Sequence, residues 1–167
     1  LTRRYFESNG GVWPTDADLS PDPGATYAAE HRLDVTNLAP QIAAPYSPAN
    51  VSDVAAVAGE RVHQVFIGSC AGGRIEEIAD AASILRGRRI DSRLKLVVTP
   101  ASQAVYRAAM EDGSLTALLD AGAVITNPSC GACGGIDKGL LAAGEVCVST
   151  SNRNFRGRMG DVDARVF

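Results

Sequence analysis

Val65-Phe66-Ile67-Gly68-Ser69-Cys70-Ala71-Gly72-Gly73-Arg74 is the stretch from which the rest of the chain is read. Taken from His63, it begins as a short apolar run closed by Gly68, the pattern of a strand buried on both faces. Glycine-rich sequence then leads into Arg74 to Leu85. There Ile75, Ile78, Ala79, Ala82 and Leu85 recur at spacings of three and four, giving one apolar helical face, and Gly87 stops it. A buried strand that turns sharply into an amphipathic helix predicts an α/β unit.

The alternation continues downstream. Leu94 to Val98 is predicted as a second buried strand, closed by Pro100. Ser102 is placed to cap a helix running through Met110 and ended by Gly113. Ser114 is expected to cap a short helix reaching Ala121, with Gly122 ending it. Ala123 to Thr126 reads as a third strand and Glu145 to Ser149 as a fourth. With right-handed crossovers, this order predicts an α/β fold: a three-layer α/β/α sandwich on a mainly parallel sheet, over residues 51–167. Residues 1–50 read as an irregular N-terminal arm. Pro14, Pro21, Pro23, Pro40, Pro45 and Pro48 break it up, Asp16, Asp18, Asp22 and Asp34 make it acidic, and Arg32 to Val35 is its one strand candidate.

A length of 167 residues suits one domain with such an arm. Sixteen Lys and Arg against nineteen Asp and Glu leave a net charge of −3. That balance argues against nucleic acid or an anionic membrane surface as the main partner. No apolar run approaches the ~20 residues of a membrane helix. Leu1-Thr2-Arg3-Arg4 is not followed by a signal-peptide core, and with no sign of secretion the expected location is cytoplasmic. The chain opens without Met and stops at Phe167 without a visible terminal element, as expected of a piece of a longer chain.

In open parallel sheets, ligands sit beyond the carboxyl ends of the strands. Ser69-Cys70 follows the first predicted strand, Asn127 to Gly135 the third, and Ser151 to Gly160 the fourth. With only His31 and His63, an imidazole-rich metal site is excluded. Four cysteines are better read as reduced thiols serving a metal, a cluster or redox chemistry than as a disulfide scaffold. Cys70 stands where a strand becomes a helix, and a helix start favours negative charge such as a thiolate. Cys130-Gly131-Ala132-Cys133 has the spacing of a thioredoxin-like redox pair, and equally of two iron–sulfur ligands joined by a remote third, Cys70. Zinc fits less well, since a second such pair is missing. Cys147, inside Val146-Cys147-Val148, reads as a small buried residue.

Ser149-Thr150-Ser151-Asn152-Arg153-Asn154-Phe155-Arg156-Gly157-Arg158 brings arginines and short polar side chains to a strand end. Arginine offers a planar two-pronged fork to a carboxylate. Arg153 and Arg158 are read as gripping one anionic substrate, and Arg156 as a solvated surface charge.

Together, Val65 to Arg74, Cys130-x-x-Cys133 and Ser149 to Arg158 resemble the aconitase superfamily, most nearly its large-subunit branch of 3-isopropylmalate dehydratase and homoaconitase. The likeness runs from about Asp34 to Gly160. It implies that Cys70, Cys130 and Cys133 hold a 4Fe-4S cluster with one iron left open. It also implies that Arg153 and Arg158 bind the substrate carboxylate and that Ser151 and Asn152 shape the pocket. The activity implied is a hydro-lyase dehydrating and rehydrating hydroxy di- or tricarboxylic acids, with a place in leucine biosynthesis. The partners implied are upstream domains of a large subunit and a small swivelling subunit or domain, where the family's remaining catalytic groups reside. This chain then corresponds to the third, cluster-carrying domain, inactive by itself. Ala71-Gly72 stands where the family usually has Thr-Asn, which removes two hydrogen-bonding side chains beside the first ligand. Two other readings stay open at this point: a thiol–disulfide oxidoreductase using Cys130 and Cys133, and a non-catalytic binding module.

Overall fold

A computed structural model of the chain describes residues 2–14 and 20–167, so Asp16 and Asp18 of the acidic arm lie outside the described residues. The chain divides into two compact units, Leu1–Leu38 and Ala39–Phe167. Residues 39–50, expected in the arm, therefore belong to the larger unit.

The first unit contains a helix that the arm was not expected to have, α1 (Thr2–Ser8), with no buried residue. Its support is local: Arg3 and Glu7 pair at 2.9 Å one turn apart, and Phe6 meets the Trp13 ring edge-on at 6.0 Å. The strand expected at Arg32 to Val35 does not form. Leu33 and Val35 are 84% and 63% exposed, and no neighbouring strand pairs with this segment among the described residues.

The larger unit opens with a small antiparallel hairpin, β1 (Gln41–Ala43) against β2 (Val51–Asp53). The main sheet is built from β3 (Gln64–Gly68), β4 (Lys95–Thr99), β5 (Val124–Ile125), β6 (Val146–Ser149) and β7 (Arg165–Val166). Its order is β5-β4-β3-β6-β7 and every pairing is parallel. β3 is central, in register with β4 at Phe66↔Val97 and with β6 at Phe66↔Ser149.

Between the strands run α2 (Ser69–Gly72), α3 (Ile75–Leu85), α4 (Gln103–Glu111) and α5 (Ser114–Ala121). Ser102 caps α4 as expected, its Oγ accepting from the Val105 N–H at 3.2 Å. Ser114 instead lies inside α5. The acceptor for its N–H is Asp112 Oδ1, at 2.8 Å, with Gly113 in the left-handed region between them. Among the described residues no helix is long and apolar enough to cross a membrane.

Strand alternation gives the sheet two cores. Ile67, Leu96 and Val98 pack with Ile78, Ala82, Ala109, Leu115 and Leu118 of α3, α4 and α5. Phe66, Val97, Cys147 and Val166 face the other way, onto Ala132, Cys133, Leu141, Met159 and Ala164. This second covering layer is mostly irregular chain with one 3-10 turn (Gly131–Gly134), not α-helix. Fully burying a side chain the size of Phe66 or Met159 is worth roughly 1.5–3 kcal/mol, so an irregular layer can hold if its few anchors are apolar. Gln64, fully buried on the same face, secures it further by donating Nε2 to the Gly139 carbonyl at 2.7 Å.

Candidate functional site

The Cys70 turn sits at the carboxyl end of the central strand. Ser69 is 2% exposed and holds φ +61, an uncommon left-handed position for a residue with a side chain, while Cys70 beside it is exposed. Neighbouring strands press close. A Cβ on Gly73 would lie 2.5 Å from the Thr99 carbonyl, and one on Gly72 would strike the carbonyl and hydroxyl oxygens of Thr150. The Gly73 carbonyl accepts from the Ala101 N–H at 2.8 Å, tying the turn to the end of β4.

The second pair of thiols leaves the sheet beyond β5. Thr126 N–H donates to the Val98 carbonyl at 2.9 Å, and the Thr126 and Thr99 hydroxyls share a 2.6 Å hydrogen bond. The chain then turns back into Gly131–Gly134, with Cys130 exposed before it and Cys133 only 5% exposed within it. Cys133 is buried because it is one of the anchors of the second core. Asp137 follows closely, and its Oδ1 is buried with no hydrogen-bond partner.

Beyond β6, Thr150 binds backbone on both sides of Cys70. Its hydroxyl accepts from the Gly68 N–H at 3.0 Å and donates to the Gly72 carbonyl at 2.9 Å. Ser149 and Ser151 share a 2.7 Å hydrogen bond between their hydroxyls. Asn154 turns inward, 5% exposed, and its Nδ2 donates to the Ala44 and Ala43 carbonyls at 2.9 and 3.2 Å. Arg156 is exposed, stacked 4.6 Å over the Tyr46 ring and 3.6 Å from Asp163, so it is more engaged than a solvated charge. Arg158 Nη2 donates to Cys133 Sγ at 3.5 Å, and its Nε is buried without a partner.

Two groups of the expected residues are thus joined: Cys70 to the start of the arginine loop through Thr150, and Cys133 to its far end through Arg158. Others are not. Ser151, Asn152 and Arg153 line an open cleft of about 210 Å³ with Gln41, Ala43 and Pro48 of the hairpin, and no cysteine is among its lining residues. Arg158 is not among the residues lining that cleft. Among the described residues no three His, Cys, Asp or Glu side chains stand together closely enough to hold a metal ion. Cys147 stays apart, fully buried in β6, with its thiol pushed up to about 12 by desolvation. Thr150 and Asp137 were not singled out from the sequence. The only available signal was their position, one at the exit of a strand and one just past a C-x-x-C pair.

A model of the aconitase family (aconitate hydratase) matches residues 2–167. The homoaconitase large subunit of Thermus thermophilus is 53% identical over 149 residues, covering 89% of this chain and 36% of that protein. The 3-isopropylmalate dehydratase large subunit 1 of Deinococcus radiodurans is 54% identical over 147 residues, 88% of this chain and 34% of that one. The large subunit 1 of the same name from Methanopyrus kandleri is 50% identical over 166 residues, 99% and 39% respectively. The chain spans little more than a third of the length of these relatives.

Proposed function

The chain belongs to the aconitase family, and from that premise we propose that it is the cluster-binding domain of a hydro-lyase large subunit of the isopropylmalate dehydratase and homoaconitase type. Cys70, Cys130 and Cys133 are assigned as ligands of a 4Fe-4S cluster. The donor set suits that group. All three thiols are free, they follow the carboxyl ends of β3 and β5, and Cys70 and Cys130 are exposed. Cys133 already receives a guanidinium N–H, the kind of donor that stabilises sulfur bearing negative charge. The loops must still close around the cluster, as expected where the metal supplies part of the ordering. When bound, the cluster supplies a Lewis-acidic iron toward the hydroxyl and a carboxylate of the substrate.

The remaining work falls to protein groups. Arg158 and Arg153 are assigned to the substrate carboxylates, and Ser151 and Asn152 to the wall beside Arg153. The substrate class is a hydroxy di- or tricarboxylic acid, dehydrated and rehydrated across adjacent carbons. Removing the proton and excluding water need groups from upstream domains and a small swivelling subunit. A cytoplasmic role in leucine biosynthesis goes with this reading.

The observation that carries the proposal is the pair of links from the arginine loop, Thr150 to the Cys70 turn and Arg158 to Cys133. Anaerobic reconstitution with ferrous iron and sulfide tests it. The expected product is brown, absorbs broadly around 400 nm and holds about four irons per chain. A colourless protein whose Cys130 and Cys133 titrate as a reversible dithiol would overturn it in favour of redox chemistry.

A further inference from the structure

We infer that the Thr150 hydroxyl is the positioning group of the Cys70 turn, a role whose catalytic meaning rests on Cys70 being a cluster ligand as proposed above. The geometry is a bracket. Oγ1 accepts from the Gly68 N–H at 3.0 Å and donates to the Gly72 carbonyl at 2.9 Å, two residues before and two residues after Cys70.

Neither backbone group has a partner in regular structure. The β3–β6 register ends at Phe66↔Ser149, and the Thr150 N–H adds a bond to the Phe66 carbonyl at 3.0 Å. In a continued parallel ladder the next bond would run from the Gly68 N–H to the Thr150 carbonyl. The side-chain oxygen of Thr150 takes that bond instead. The Gly72 carbonyl is the last of a four-residue helix, where carbonyls have no intrahelical donor. One hydroxyl, using its donor and one acceptor position, satisfies both orphans.

Two further features depend on this bracket. Ser69 holds φ +61, and a side-chain-bearing residue stays there only where its surroundings over-determine it. The bracket fixes the chain on both sides of that residue. Gly72 leaves the space the hydroxyl occupies, since a Cβ there would strike Thr150. Because Thr150 is also the first residue of the arginine loop, its hydroxyl sets the position of Cys70 relative to Ser151, Asn152 and Arg153. An iron ligand and the wall of the neighbouring cleft are thereby held in one register.

The test compares the 167-residue chain with Thr150→Val, which keeps the branched shape without the hydroxyl, and Thr150→Ser, which restores it. Amide exchange at Gly68 to Gly73 should rise about tenfold in Thr150→Val, what one hydrogen bond to a buried group is worth, while α3 stays protected. After anaerobic reconstitution, loss of iron to a chelator should be faster in Thr150→Val by a similar factor. Thr150→Ser should behave as the parent in both measurements. Wild-type exchange at Gly68 to Gly73 in Thr150→Val would overturn the inference. If Thr150→Val loses protection throughout, Thr150→Ala takes its place under the same criteria. A parent chain that takes up no iron would defeat the cluster assignment, leaving the exchange comparison to judge the bracket.

Discussion

Arg158 Nη2 donates to Cys133 Sγ across 3.5 Å, joining the far end of the arginine loop to the buried member of the C-x-x-C pair. The guanidinium carbon also lies 5.5 Å from the Phe155 ring centroid, and Nε is buried with no partner. The fork is thus held between Cys133 and Phe155. Lysine keeps the charge but cannot make two parallel bonds. In the complete enzyme, Arg158→Lys is expected to raise KM and lower kcat, each by about tenfold, the scale of one charge-assisted hydrogen bond. Arg156→Lys, at a side chain stacked on Tyr46, should change either constant less than about twofold. Steady-state kinetics of both variants decide it, and unchanged constants for Arg158→Lys would remove that residue from the site.

Cys147 provides a prediction about stability that is independent of the cluster. Burial pushes its thiol up to about 12 from an ordinary 9.0. Above pH 9 the unfolded chain releases this proton and the folded chain does not. The folded state then binds more protons, so stability falls as pH rises from about 9 towards 12 and is unaffected below 9. The slope is at most about 1.4 kcal/mol per pH unit. Urea unfolding at pH 8 and pH 10.5 should therefore show an alkaline loss of up to about 2 kcal/mol that Cys147→Ala does not show. Cys147→Ala should also leave iron uptake intact. Equal alkaline losses in parent and variant would contradict the burial argument.

Asn154 gives a third. Its buried amide holds the Ala43 and Ala44 carbonyls, so it fixes the hairpin side of the Arg153 cleft. Asn154→Ala should cost about 1–3 kcal/mol, because two carbonyls lose their donor. Asn154→Asp should be worse, since it sets a carboxylate against two carbonyl oxygens. Thermal unfolding gives the cost, and limited proteolysis between Ala43 and Asn50 should quicken in step. A variant that melts like the parent with a faster-cut hairpin would show that the contact matters locally but not for the fold.

The inner strands of the parallel sheet were legible because they are short apolar runs closed by Gly68, Pro100 or a polar loop, whereas the edge strand β7, only Arg165–Val166 and half polar, gave no such run and was not expected. The second covering layer was not legible either. Ala132, Cys133, Leu141 and Met159 are single anchors in irregular chain, with no period to reveal which face they cover. β1 lies between Pro40 and Pro45, too short to show alternation, whereas Arg32 to Val35 alternates without a partner strand. In the candidate site, the residue types were readable, and the hydrogen bonds that link their loops were not. Between Arg153 and Arg158, Asn154 turns inward onto the Ala43 and Ala44 carbonyls, and Arg153 lines the cleft beside the hairpin. Thr150, in a run of Ser and Thr, is distinguished only by the two backbone groups it meets in three dimensions. Gly72, expected to cost a hydrogen-bonding side chain beside Cys70, leaves the space that this hydroxyl occupies.

The last prediction concerns the chain alone, which is expected to show no dehydratase turnover even with a reconstituted cluster. Dehydration of a hydroxy acid needs a base for the proton next to a carboxylate, an acid to assist the departing hydroxyl, and a site closed to water. His63 is already used, its Nδ1 accepting the Val146 N–H at 3.1 Å just before β3, at the amino ends of the strands, opposite the cysteine loops. His31 belongs to the first unit and is exposed. Asp161 accepts the Asp163 N–H within its own turn. Asp137 stands next to the C-x-x-C turn, but its Oδ2 is already paired with Lys138 at 2.8 Å. On the proposed assignment, what the chain offers is ligands and carboxylate anchors. Assay of alkene formation from several hydroxy diacids, with the reconstituted chain alone and then with added upstream domains and small subunit, separates the cases. Turnover only in the second condition is expected, and clear turnover in the first would mean that a group within these residues moves the proton.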